Sequence, residues 1–191
     1  MNFRCAGIIQ ESIVDGRGIR MVVFCQGCMR HCKGCHNQHT WDPKGGYMEN
    51  TDHVIEMYKK NPLLSGITIS GGEPFLHTEP MTLLATEVHR LGGDVWLYTG
   101  HILDKILDFF IEDPISSYSS YRLLREVDVL VDGPFMLDKR DISLDWRGSS
   151  NQRVIDFAKF RKDINAFNEF CKDLDDRHRR LFASCVNIRR S

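Results

Sequence analysis

The sequence predicts an α/β fold, a partial (βα) barrel of parallel strands that gathers its ligand site at the carboxyl rim of the sheet. Three observations carry this. Short β-branched or apolar runs bounded by glycine alternate with longer stretches of helical spacing, the pattern of parallel strands joined by right-handed crossovers. The unusual residues each fall just after one of those runs, where such folds bind ligands. The length, 191 residues, suits one hydrophobic core.

In chain order, the first strand spans Ile19 to Phe24 and runs into "CQGCMRHCKGC". A helix follows, capped by Asn50 or Thr51, with Val54, Ile55 and Tyr58 on one face, and Pro62 stops it. The second strand, Gly66 to Ser70, leads into "SGGEPF". The next helix runs from Glu79 to Leu91 and ends at Gly92 and Gly93, where glycine accepts a left-handed turn. The third strand, Asp94 to Tyr98, leads into "YTG", a helix covers Ile102 to Ile111, and the fourth strand, Val127 to Val131, leads into "VDGPF". From Phe160 onward Ile164, Phe167, Cys171, Leu174, Leu181 and Phe182 recur at three- and four-residue spacing, an amphipathic helix that packs on its own core or on a partner. Two units result: a core domain at 1–157 and a C-terminal helical extension at 158–191.

Composition excludes several classes. With 42% hydrophobic residues, 27% charged and a net charge of -1, the chain has the profile of an ordinary globular protein, with no charge excess to bind nucleic acid. No apolar run approaches a membrane span and no signal peptide is evident, so a cytoplasmic location is expected. Seven cysteines, four of them crowded between Cys25 and Cys35, suit metal ligation better than a disulfide framework.

Cys28, Cys32 and Cys35 form C-x3-C-x2-C. Three thiolates on a short loop can hold three irons of a [4Fe-4S] cubane and leave the fourth open to a ligand. A four-cysteine zinc site or a fully ligated electron-transfer cluster are the poorer alternatives, because the short spacing leaves little chain for a zinc tetrahedron. Cys25 ends a strand and reads as a small buried hydrophobe. His31, His36 and His39 read as solvated or supporting residues.

"CMRHCKGC" matches the cysteine loop of the radical S-adenosylmethionine enzymes, and "GITISGGEP" their GGE motif. With "GRGIRMVVF", "VDVLVDGPF" and "WRGSSNQRVID", the chain from about residue 5 to 157 resembles the family that activates anaerobic ribonucleoside-triphosphate reductase. The resemblance implies a cluster on Cys28, Cys32 and Cys35, with S-adenosylmethionine chelated at the open iron. It implies reductive cleavage to a 5′-deoxyadenosyl radical, and hydrogen abstraction from a glycine of the partner reductase. A flavodoxin-like donor supplies the electron. Gly34 stands where many superfamily members carry an aromatic residue, so the adenine contact falls to Gly34, Cys35 and the His36 ring. Cys25 is not used by the family motif. An activase for another glycyl radical enzyme, such as pyruvate formate-lyase, and a non-catalytic iron-sulfur electron carrier are the competing readings.

Gly71 and Gly72 read as a turn of positive φ whose bare backbone also approaches the cofactor. The resemblance implies that this segment receives the amino group of S-adenosylmethionine. Glu73 either orients that turn or meets the ammonium group. Thr99, Asp132 and Gly133 end strands as turn formers or touch a ligand, and Arg147 pairs a carboxylate or makes a surface ion pair.

Overall fold

The computed structural model describes residues 1–157 and 176. The predicted C-terminal helix lies outside the described residues. Among the described residues seven strands form one mixed sheet. In chain order they are β1 (Asn2–Ser12), β2 (Arg20–Cys25), β3 (Tyr47–Asn50), β4 (Gly66–Gly71), β5 (Asp94–Tyr98), β6 (Val129–Asp132) and β7 (Arg153–Asp156), and across the sheet the order is β3-β1-β2-β4-β5-β6-β7. The four strands predicted from sequence, β2, β4, β5 and β6, are the parallel centre. The sheet departs from the all-parallel expectation at its sides. β1 pairs antiparallel with β2 and β3, and β7 antiparallel with β6. These are hairpin-like returns, which need no helical crossover.

Among the described residues the sheet is joined by four α-helices: α1 (Thr51–Lys59), α2 (Thr78–Arg90), α3 (Leu103–Glu112) and α4 (Pro114–Arg125). Asn50 caps α1, its side chain accepting from the Asp52 N–H at 2.8 Å, while the hydroxyl of Thr51 instead accepts from the Met1 amino group. α2 stops where Gly92 takes φ +85° and the Gly93 N–H turns back to the Val88 carbonyl. Asp132 at the end of β6 accepts from the Leu103 N–H, so a strand end caps α3. α4 was not anticipated; it starts on Pro114, a residue already shaped for the first helical turn.

Alternation along the strands sorts two faces. Met21, Val23, Ile67, Ile69, Val95, Leu97 and Leu130 point to the helices and meet Val54, Leu84, Val88, Ile106 and Leu123 in the main core. Trp96, Val129 and Val131 point the other way, where Tyr98, Trp146 and Val154 pack on them. This second face has no helix over it among the described residues. The segments around Asp15 and Arg140–Trp146 border it instead.

Candidate functional site

Because the central strands are parallel, their carboxyl ends meet at one rim: Cys25 lies in register with Gly71, and Tyr98 with Val131. The cysteine loop leaves β2 there. Its base is tied by the Gly27 N–H to the Thr40 carbonyl and the Cys28 N–H to the Trp41 carbonyl, at 2.7 and 3.0 Å. Gln26, almost fully buried, donates from its side chain to the carbonyls of His39 and Asp42, and its own carbonyl meets His77 Nε2 at 2.6 Å. The loop is therefore shaped by backbone pairing before any thiol is used.

Cys28, Cys32 and Cys35 are free, half-buried, and all line one cavity of about 120 Å³. Burial pushes the Cys28 thiol up, opposed first by a backbone hydrogen bond from Arg30. The Asn37 N–H donates to Cys35 Sγ at 3.4 Å. Cys25, by contrast, is fully buried in the main core, its thiol driven far up by desolvation, and it does not line the cavity. Among the described residues no three Cys, His, Asp or Glu side chains converge as they would on a single metal ion. A cubane spreads three thiolates over three irons, so an all-sulfur donor set opening on a cavity fits a [4Fe-4S] cluster.

Gly71 and Gly72 line the same cavity. Gly71 has φ +99°, a conformation glycine alone takes freely. Gly72 does not have positive φ, which corrects the expectation for that residue. Its reason for being glycine is a close backbone approach: a Cβ there would strike the Gly27 carbonyl. The Gly72 N–H donates to the Cys25 carbonyl and the Glu73 N–H to the Gly27 carbonyl, each at 2.8 Å, so the two rim loops are laced together.

Glu73 is 4% exposed and does not line the cavity. Oε1 accepts from the Phe75 N–H and the Thr99 hydroxyl, and Oε2 from the Gly100 N–H, with His101 Nε2 3.8 Å away. Burial pushes its carboxyl up, opposed first by the charge of His101. The carboxylate thus bridges the ends of β4 and β5, which is turn-orienting work. Gly34, at φ +76°, packs against Leu137, outside the cavity lining. Asp132 is spent on α3 and on Arg153. Thr99 and Gly133 do line the cavity.

A second, open cavity of about 530 Å³ adjoins the first. Cys35, Ser70, Tyr98, Phe135 and Gln152 line both. His36 borders the larger one, its ring 5.7 Å from that of Phe135. Phe135 and Tyr98 were missed from sequence as site residues; the signal was present, since each lies at a strand end in a quoted motif. The "WRGSSNQR" block is the wall of this cavity. The Gln152 side chain accepts from the Gly148 and Ser149 N–H groups and donates to the Gly133 carbonyl, Arg147 donates to the Gln152 carbonyl, and Trp146 packs edge-on against Trp96.

Residues 14–155 match the family described as "4Fe-4S single cluster domain". The anaerobic ribonucleoside-triphosphate reductase-activating protein of Vibrio cholerae serotype O1 is 35% identical over 155 residues, 76% of this chain and 93% of that one. The protein so named in Escherichia coli K12 is 35% identical over 153 residues, covering 74% and 91%. Its namesake in Enterobacteria phage T4 is 31% identical over 147 residues, covering 74% and 86%. Fold, site and these likenesses define an iron-sulfur protein of the single-cluster class. Within that class the chain belongs to the family of anaerobic ribonucleoside-triphosphate reductase-activating proteins.

Proposed function

We propose that the chain is a radical S-adenosylmethionine activase that generates a glycyl radical on anaerobic ribonucleoside-triphosphate reductase. One observation carries the reading: three free thiols and the bare backbone of Gly71 and Gly72 share a cavity that continues into a larger open one. Cys28, Cys32 and Cys35 would hold the [4Fe-4S] cluster. When bound, cluster and S-adenosylmethionine supply reductive cleavage to methionine and a 5′-deoxyadenosyl radical that takes hydrogen from a glycine Cα.

The chain's own residues position and exclude. Gly71 and Gly72 present backbone without side chains to the amino acid part of S-adenosylmethionine, and Glu73 keeps their turn in place through Thr99 and Gly100. His36 and Cys35 stand beside Phe135, and these residues border the space where the adenine would lie. Trp41 and Tyr98 wall the cavity against water. No side chain is assigned as acid, base or nucleophile. The sheet is read as a partial barrel within a core domain at 1–157, working in the cytoplasm with a flavodoxin-like donor; among the described residues no helix is long and apolar enough to cross a membrane.

Anaerobic reconstitution tests this. Mixed with reductant, S-adenosylmethionine and the reductase, the protein is expected to yield a glycyl radical doublet in electron paramagnetic resonance and equimolar 5′-deoxyadenosine. A radical on pyruvate formate-lyase and none on the reductase would move the partner. An intact, reduced cluster that never forms 5′-deoxyadenosine would leave an electron carrier.

A further inference from the structure

We infer that Ile13, Val14 and Ile142 form an apolar rim on which the protein partner seats the chain flanking its target glycine. The inference rests on the activase reading and names the surface that recognises the partner. It starts from an anomaly of exposure. Ile142 is 89% exposed, Ile13 76% and Val14 70%, among the most exposed large apolar side chains of the described residues. Val14 and Ile142 both line the larger cavity, and Ile13 adjoins Val14 in sequence.

The position of the rim decides its occupant. The larger cavity shares five lining residues with the cavity of the three cysteines, so a chain crossing this rim leads directly to the cofactor. A reaction that removes hydrogen from a backbone Cα needs that backbone inside the site, in extended form, with its neighbours on both sides supported outside. The open face, unlike the opposite one, has no helix to obstruct such a segment among the described residues.

Charge does not select the segment. The lining carries Arg140 and Arg147 against Asp15 and Asp141, equal numbers of each sign. What remains unsatisfied is apolar surface, and covering it favours association in proportion to area. A partner segment with an apolar side chain a few positions from the glycine fits this rim.

The test uses Ile142→Asp, a change at a side chain so exposed that folding does not depend on it. Reconstituted full-length protein, with S-adenosylmethionine, is titrated into labelled reductase and followed by fluorescence anisotropy. The variant is expected to bind about tenfold or more weakly and to lose radical yield on the reductase in proportion, while its uncoupled cleavage of S-adenosylmethionine is unchanged. Equal affinity for variant and native protein would overturn the inference. So would a parallel loss of uncoupled cleavage, which would place Ile142 in the cofactor site. So would a loss of self-association in sedimentation with reductase binding kept, since the rim would then seat a second copy of this chain. Failure of the native protein to cleave S-adenosylmethionine at all would sink the activase reading instead.

Discussion

The two ends of the central strands are built on opposite terms. At the amino ends polar groups are consumed. Arg20 is fully buried, donating from Nε to Thr68, from Nη1 to Asp94 Oδ1 and the Arg17 carbonyl, and from Nη2 to the carbonyls of Ile67 and Asp94, with Trp96 beneath its guanidinium. His89 is gripped by Asp128 at 2.7 Å and Glu126 at 3.2 Å. At the carboxyl ends three thiols are kept free beside bare glycine backbone and aromatic walls, while Thr99 and Gln152 in the same lining are already bonded within the protein. Glu73 and Gln26, which do not line the cavity, stand behind it and hold its backbone. The difference separates stability from chemistry along the same strands, because a group already satisfied within the protein has nothing left to offer a ligand.

The sharpest way to break this comparison is at the thiols. Replacing Cys28, Cys32 or Cys35 by alanine is expected to abolish iron and sulfide binding after anaerobic reconstitution, with little change in the unfolding midpoint of the cluster-free chain. Cys25→Ala should do the reverse: keep the cluster and lose about 1 kcal/mol of stability to a small core cavity. Equal cluster loss in all four variants would make Cys25 a ligand and erase the distinction between core and rim.

Arg20 tests the opposite end. Arg20→Met fills similar volume but leaves the buried Thr68 hydroxyl and Ile67 carbonyl without their donor, at a cost of about 2 kcal/mol, while the half-exposed Asp94 carboxylate passes to water. Urea titration of the cluster-free chain measures it. Iron content per folded molecule should be unchanged, and a variant that loses cluster in proportion to stability would show the two ends to be coupled.

The smallest effect is expected at His89, whose pKa is raised from 6.5, chiefly by its hydrogen bond to Asp128. A histidine whose folded pKa lies above its unfolded value adds stability that is full below about pH 6.5 and is lost as pH rises through the folded value. Because the imidazole is only half-buried, the gain should be about 1 kcal/mol or less. Urea midpoints should fall between pH 6 and pH 8.5 in the native chain, and fall less in His89→Gln. An equal fall in both would assign the pH dependence elsewhere.

The legible parts of the fold were those with strong local patterns. "IRMVVF" and "VDVLV" are buried on both faces, so their β-branched runs stand out. β1 escaped because "NFRCAGIIQES" mixes buried and exposed positions without clean alternation, and β3 and β7 are four residues each, too short to show a period. α4 escaped because "PISSYSSYRLLR" is rich in serine, a weak helix former, and is held by packing against α2. In the site, the grouping of Cys28, Cys32 and Cys35 was readable because their spacing sets them on one loop, and the structure brings them to one cavity. The buried work of Glu73 and the backbone approach at Gly72 were not, since both depend on which loop lies next to which. Phe135 stood in a motif that follows a strand, but only the folded sheet shows that it lines both cavities.

The knot at the base of the cysteine loop bears on upkeep. Gly27 to Thr40, Cys28 to Trp41 and the Gln26 side chain close the loop without recruiting any of its three thiols. The entropy of closure is therefore met by the sheet and not by iron. A small zinc domain that loses its metal loses its fold. Here the frame closes on its own hydrogen bonds, so the loop is expected to keep its shape without iron, and a chain emptied by air to stand as a folded vessel able to take a cluster again.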